Sequence, residues 1–488
     1  MGDFYVRNPL GAPAAWNFYH ASDEEKAWYY RACNFLNNRK NYDEDLAAET
    51  SPGKMHMKSV FLKSLPVSIH RRPLPYAVDG QSRGYGANDD GSTTIMQNAG
   101  KHSGSRPIPT RRALFFNSTP LHLSASIDIY TAMASNEQPP LSFWERADLY
   151  PGQLSAMGAA LYSAFTGVFR GSSGSREYKL HVANAAVRKL VTRLSSRQLQ
   201  ALSPSTEQAY ELFTKNKGLH PETVTLAHGA KGHWIGNPNA KKVIVYYHGG
   251  GFALSGSDGH FDFYSGLIES LNANGHDVAL FFLSYALTPH AAYPTQLRQA
   301  VEALRHILTQ TGRAPGDVIV AGDSAGGNLA LATLLHLTHP HPAIEPLAAD
   351  TAPLAGVVAF APWVNFATDG ASMQANRYKD VIPPEVLVYW SREYLAGGTS
   401  DAWSEPNTAP LEWWEGAKAE HVLILAGEDE ILFSAIDDFA KKFQTVVPNT
   451  TYVVGYGETH VAPVYSGRIL GKETQQGREL QRWLGPRL

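Results

Sequence analysis

Val318-Ile319-Val320-Ala321-Gly322-Asp323-Ser324-Ala325-Gly326-Gly327-Asn328-Leu329-Ala330 passes from a short apolar stretch, through a tight glycine turn, into an Ala- and Leu-rich run. The pattern predicts a strand, a sharp turn and a helix. Gly322, Ser324 and Gly326 fit G-x-S-x-G, the turn in which a serine takes a strained backbone conformation and its hydroxyl stands clear above the sheet edge. Glycines flank that serine because a side chain there would collide with the strand or the helix. Glycine and serine are common, so a lone match carries little. Context makes it specific: a β-rich run before, a helical run after, and a second motif upstream.

That second motif is His248-Gly249-Gly250-Gly251-Phe252, directly after the strand candidate Val243–Tyr247. Successive glycines let a backbone approach a ligand closely and turn its N–H groups inward. Acyl transfer needs such donors where a carbonyl oxygen becomes negative, and loss of one donor raises the barrier by about 3 kcal/mol. The expected donors are the amides of Gly250, Gly251 and Ala325.

A serine hydroxyl barely ionises near neutral pH, so it needs a base within reach and a carboxylate to orient that base. In this arrangement the partners follow in the order Ser, Asp or Glu, His, each on a loop past a strand's C-terminal end. After the strand candidate Val422–Ala426 stands Gly427-Glu428-Asp429-Glu430, and after Thr451–Val454 stands Gly455-Tyr456-Gly457-Glu458-Thr459-His460. His460 is the expected base. Consecutive carboxylates leave the acid open between them. Asp323 is set aside as that acid because it adjoins the serine and cannot also reach the far side of the imidazole. His248 lies too early in the chain for the base and reads as a brace for its loop. No HExxH, paired CxxC or EF-hand spacing occurs, and no GxGxxG follows a strand, so neither a metal nor a dinucleotide cofactor is expected.

The 488 residues allow two or three domains, or one large core with a lid. A net charge of -3 gives no basic excess for nucleic acid. Cys33 is the single cysteine, so no disulfide can form within the chain, in keeping with a reducing, intracellular and cytoplasmic setting. The first ten residues lack the basic and apolar blocks of a signal peptide. Pro486-Arg487-Leu488 only loosely echoes a peroxisomal signal.

Ser22 and Glu25 form a candidate capping box for a helix over 23–35, and 80–112 reads as a Gly/Ser/Asn-rich linker within an extension, 1–139, of no evident role. From 140 to 228 the periodicity is helical. Leu154–Phe169 is short for a bilayer span and reads as a helix packed on a core or forming a lid, with membrane contact as the alternative. From 229 to 488, strand candidates Val243–Tyr247, Val278–Tyr285, Val318–Ala321, Val357–Phe360, Val422–Ala426 and Thr451–Val454 alternate with helix candidates such as Gln296–Leu308 and Gly327–Leu337. That alternation implies an α/β fold with a mostly parallel sheet. It lapses over 365–418, which suits a lid insertion.

On these motifs the chain resembles the hormone-sensitive-lipase-like α/β-hydrolases, fungal esterases and steryl acetyl hydrolases in particular. Tyr285-Ala286-Leu287-Thr288-Pro289-His290, Ala361-Pro362-Trp363 and Ala426-Gly427-Glu428-Asp429-Glu430-Ile431-Leu432 look like further family blocks. The resemblance covers roughly residues 140 to 486. It implies an α/β-hydrolase fold with a helical lid, Ser324 as nucleophile, His460 as base, and Glu430 over Asp429 as acid from the spacing to Ile431-Leu432. It implies a serine carboxylic-ester hydrolase acting on a small hydrophobic ester of short- to medium-chain acyl or acetyl type. Acyl transfer to another acceptor and non-catalytic ligand binding are the alternatives. His290, Ala361 and Asn365 depart from the usual residues at supporting positions.

Overall fold

The computed structural model describes residues 140–348 and 352–488. The expected helix at 23–35, the linker-like 80–112 and the rest of the 1–139 extension lie outside the described residues.

Four helices come first: α1 Phe143–Thr166, α2 Tyr178–Arg193, α3 Ser196–Leu202 and α4 Thr206–Lys217. Capping boxes Ser142/Glu145, Ser195/Gln198 and Ser205/Gln208 start α1, α3 and α4, each satisfying amides that have no partner within the helix. Gly218, left-handed, ends α4. Helix α1 differs from a helix that buries a broad apolar face. It turns inward its small residues Gly152, Ala156 and Ser163, and a Cβ on Gly152 would stand 2.5 Å from Leu194. Tyr150, Leu154, Met157, Leu161 and Phe165 face outward. Among the described residues no helix is long and apolar enough to cross a membrane.

The remainder builds an eight-stranded sheet from β1 Thr223–Thr225, β2 Lys231–Ile235, β3 Lys242–Tyr247, β4 Val278–Ser284, β5 Val318–Asp323, β6 Gly356–Phe360, β7 Val422–Gly427 and β8 Thr450–Gly455, in the order β1-β2-β4-β3-β5-β6-β7-β8. The strands from β4 to β8 in that order are parallel, and β1 and β2 add an antiparallel edge. Runs such as Val-Ala-Leu-Phe-Phe-Leu-Ser in β4 are buried throughout because helices cover both faces. Side chains alternate: Val243, Val245 and Tyr247 enter one core, Ile244 and Tyr246 the other. The helices between and after the strands are α5 Asp258–Ala273, α6 Thr295–Thr309, α7 Ala325–Thr338, α8 Ala371–Ala375, α9 Pro384–Leu395, α10 Phe433–Val446, α11 Ser466–Leu470 and α12 Gln475–Leu484.

Register brings the loops together. Tyr247 at the end of β3 pairs with Gly322 near the end of β5, and Gly427 ending β7 pairs with Gly455 ending β8. The glycine loop, the serine turn, the acidic loop and the histidine loop therefore all leave the carboxyl edge of one sheet, where ligands bind in open α/β sheets.

Candidate active site

Ser324 sits between β5 and α7 with φ 54° and ψ −117°, a sparsely populated conformation for a side-chain-bearing residue. Backbone bonds fix it: its N–H donates to Phe360 O at 2.8 Å, and its carbonyl accepts from Trp363 N–H at 3.0 Å. The flanking glycines are forced by close approach. A Cβ on Gly322 would stand 2.1 Å from Gly326 O, and one on Gly326 would stand 1.9 Å from Tyr247 O. Both neighbours are backbone of the sheet and its turn and cannot swing aside. Gly326→Ala is therefore expected to destabilise the protein by about 1–3 kcal/mol and to displace the turn. A thermal melt read beside an ester-hydrolysis assay checks this, and a variant matching the parent in both would show that the turn has slack.

Asp323 joins the serine turn to the glycine loop. It is buried, and its Oδ1 accepts from Gly249 N–H at 2.8 Å and from the Tyr246 hydroxyl. Burial pushes its pKa up, but the nearby His260 and the hydrogen bonds from His260 and Tyr246 outweigh that and hold it below the usual aspartate value. Gly250 and Gly251 follow with φ 111° and 62°. Among the described residues the N–H groups of Gly250, Gly251 and Ala325 have no hydrogen-bond acceptor, so three amides stand open at the expected donor positions. His248 braces the loop. Its Nδ1 lies 2.7 Å from Gly249 O, and its ring stacks on Tyr285 at 4.3 Å. Burial pulls its pKa down to about 4, so the ring is neutral.

His460 and Glu430 meet on the other side. The imidazole Nδ1 lies 2.6 Å from Glu430 Oε2, and Glu430 Oε1 accepts from Gly427 N–H at 2.8 Å. Nε2 of His460 is buried without a hydrogen-bond partner among the described residues. Burial alone would make His460 harder to protonate, but the Glu430 hydrogen bond and charge, with Asp380 and Asp323 behind them, raise its pKa above the ordinary value. Asp429 points elsewhere: Oδ2 lies 2.9 Å from Arg176 Nε and Oδ1 2.9 Å from Lys379 Nζ. Glu428 pairs with the other arm of Arg176 at 2.8 Å.

The segment after β6 and the leading helices hold these loops. Asn376 Nδ2 donates to Glu428 O and Glu430 O, both at 2.9 Å. Trp390 of α9 packs against the backbone of Gly251, where a Cβ would stand 2.1 Å from the indole. Phe252 stacks on Tyr394 with ring centroids 3.7 Å apart. Gln200 of α3 donates to Ala253 O and Thr288 O at 2.6 and 2.7 Å, and accepts from His290 at 3.1 Å. His290 thus supports the glycine loop through Gln200. Ala361 adopts φ 45°, and Asn365 accepts from Ala367 N–H. Sequence reasoning missed Asp380, Asn376, Gln200 and Arg176. Asp380 and Asn376 lie in the 365–418 stretch where the strand–helix alternation lapses, Gln200 and Arg176 in the helical 140–228 region, and all four are far along the chain from the groups they hold.

Among the described residues no cluster of His, Cys, Asp and Glu suits a metal ion. The donors gathered here suit acyl-group chemistry: a buried hydroxyl, an imidazole oriented by a carboxylate, and open amides.

Residues 244–464 match the family model described as alpha/beta hydrolase fold. An acetyl-hydrolase of Streptomyces hygroscopicus is 31% identical over 194 residues, covering 39% of this chain and 59% of that protein. An esterase of Acinetobacter venetianus is 27% identical over 245 residues, 50% of this chain and 74% of that one. Steryl acetyl hydrolase 1 of Saccharomyces cerevisiae is 26% identical over 262 residues, 51% of this chain and 58% of that one. The chain thus spans less than two thirds of the Streptomyces and yeast relatives. With the sheet order and the loop placement described above, residues 244–464 carry an α/β-hydrolase fold and are similar in sequence to these ester and acetyl hydrolases.

Proposed function

We propose that this protein is a serine carboxylic-ester hydrolase acting on hydrophobic esters, short- to medium-chain acyl or acetyl esters among them. The observation that carries the reading is the buried His460–Glu430 pair on the same sheet edge as the strained Ser324 turn and three open amides. Ser324 Oγ attacks the ester carbonyl while its proton passes to Nε2 of His460. The carbonyl oxygen becomes negative and is held by the amides of Gly250, Gly251 and Ala325. Glu430 stabilises the imidazolium through Nδ1. The imidazolium then gives its proton to the departing alkoxide, leaving the acyl group on Ser324. Water, deprotonated by His460, attacks the acyl carbon and the acid leaves as Ser324 regains its proton.

Helices from 140–228 and the 365–418 insertion form the lid in this reading, since Gln200, Trp390 and Tyr394 already pack on the glycine loop. Aromatic residues there favour an apolar substrate. An intracellular setting, suggested by the single cysteine, is part of the same proposal.

The test is hydrolysis of p-nitrophenyl acetate, butyrate and octanoate together with labelling by a fluorophosphonate probe. Turnover of at least one ester and a label on Ser324 are expected; a folded protein that shows neither would refute the reading. Product analysis with an added alcohol or amine separates hydrolysis from acyl transfer. The pH profile gives a further check. The base works only when neutral, and its pKa is raised, so kcat/KM should fall with acidification through a midpoint above 6.5. A midpoint well below that would mean that the titrating base lacks its carboxylate partners.

A further inference from the structure

Asp380 lies in the segment between α8 and α9, inside the proposed lid insertion, yet it is completely buried. Its Oδ1 accepts from the His460 backbone N–H at 3.3 Å and from Val381 N–H at 2.7 Å. Its Oδ2 accepts from Ile431 N–H at 2.8 Å. One carboxyl group therefore joins the loop that carries the base to the loop that carries the acid. From α2, Asn184 Nδ2 donates to Lys379 O at 2.7 Å and Arg188 donates to Asp380 O at 2.6 Å, so a leading helix clamps the segment in place.

We infer that Asp380 is a positioning residue for the reaction: it fixes His460 relative to Glu430 and sets a second carboxylate behind the imidazole, so that the lid insertion is wired into the charge-carrying pair. The inference rests on the hydrolase reading above. A burden of three backbone hydrogen bonds would suffice for a structural brace. A buried carboxyl is a costly brace, however, because it confines a charge away from water. What the carboxyl adds is field. When Ser324 gives up its proton, the imidazolium faces Glu430 at its Nδ1 and Asp380 beneath its backbone.

The groups that face Asp380 come from every neighbouring segment. They are Glu430 from the acidic loop, His460 and Tyr465 from the loop after β8, and Arg188 from α2. Asp429 is occupied by Arg176 and Lys379. Burial, with repulsion from Glu430, pushes Asp380 up to about 6 against the opposing pull of His460. Asp380 is one of the charges that raise the His460 pKa, so the acidic limb of the rate profile should respond when that charge is removed.

The experiment is the pH dependence of kcat/KM for p-nitrophenyl acetate with the full chain, for wild type, Asp380→Asn and Arg188→Gln. Wild-type turnover that Ser324→Ala removes tests the hydrolase reading itself, so its failure is seen separately. In D380N the negative charge behind the imidazole is gone. The acidic limb should move to lower pH by about one unit, with kcat reduced and KM nearly unchanged. In R188Q the cation that favours the Asp380 carboxylate is lost, Asp380 stays protonated to higher pH, and the limb should move the same way by less, whereas a move to higher pH would be the direct effect of a lost cation on the imidazole and would overturn the inference. If D380N does not fold, the direction of the R188Q shift still decides. A D380N enzyme with altered melting but an unmoved limb would reduce Asp380 to a brace and overturn the inference, as would an unmoved limb in R188Q.

Discussion

Ser324→Ala is expected to lower kcat for p-nitrophenyl esters by about 10,000-fold or more and to abolish fluorophosphonate labelling, with the melting temperature unchanged. The size follows from what the substitution removes. Without the hydroxyl no acyl-enzyme can form, and only the open amides of Gly250, Gly251 and Ala325 remain to stabilise a carbonyl attacked directly by water. The conformation should survive because it is set by the backbone. The Ser324 N–H and C=O bonds to Phe360 and Trp363 are unaffected by loss of Oγ, and alanine meets the same positive-φ strain as serine. Measured turnover above a tenth of the parent's would remove Ser324 from the chemistry, and a large fall in melting temperature would make the loss of activity uninformative until repeated on a stabilised protein.

Much of this architecture is written locally. Several of β3 to β8 are continuous apolar runs between turn residues, and the observed bounds of all six fall within two residues of those expected from sequence. The antiparallel strand β2 is not legible in that way. Lys-Gly-His-Trp-Ile has a glycine at its second position, and the reason is tertiary: the Phe281 ring of β4 fills the space where a Gly232 Cβ would sit, at 1.8 Å. No window of sequence contains that constraint. Helix α1 teaches a related lesson. Its period predicts a helix, but which side faces inward depends on how closely α2 must approach, and close approach selects Gly152 and Ala156 over the larger Leu154 and Met157.

The site divides along the same line. The glycines around Ser324 and after His248 can be read from sequence because backbone geometry admits nothing else at those positions. The three neighbouring carboxylates cannot be ranked by local pattern. What separates them in space is a set of partners hundreds of residues distant: Arg176 takes Glu428 and Asp429 across 252 and 253 positions, while Glu430 turns inward to His460. Asp380 carries no local signal of this role, since two of its three amide partners, those of Ile431 and His460, are brought to it only by the closure of the sheet edge.

Glu430→Gln is expected to lower kcat by roughly 1,000- to 10,000-fold, whereas Asp429→Asn should cost less than about 10-fold. The asymmetry comes from hydrogen-bond polarity. Glu430 Oε1 accepts from Gly427 N–H and Oε2 accepts from His460 Nδ1–H, so both of its oxygens serve donors. A glutamine has one oxygen. If that oxygen keeps the Gly427 amide, its NH2 group faces His460 and forces Nδ1 to accept. The ring proton then sits on Nε2, the atom that must take the proton from Ser324, and the base is blocked. If the amide flips, the Gly427 N–H meets another donor in a fully buried site, and the acidic loop loses its anchor. Asp429 has no such role: its oxygens face Arg176 and Lys379, and neutralising it loosens the attachment of the 170s segment without altering the imidazole tautomer. The two variants can be compared by pre-steady-state acylation with p-nitrophenyl acetate. A slowed acylation step in E430Q beside near-parental acylation in D429N is the expected pair. The reverse ordering would transfer the acid's role to Asp429 and require the loop to rearrange when substrate binds.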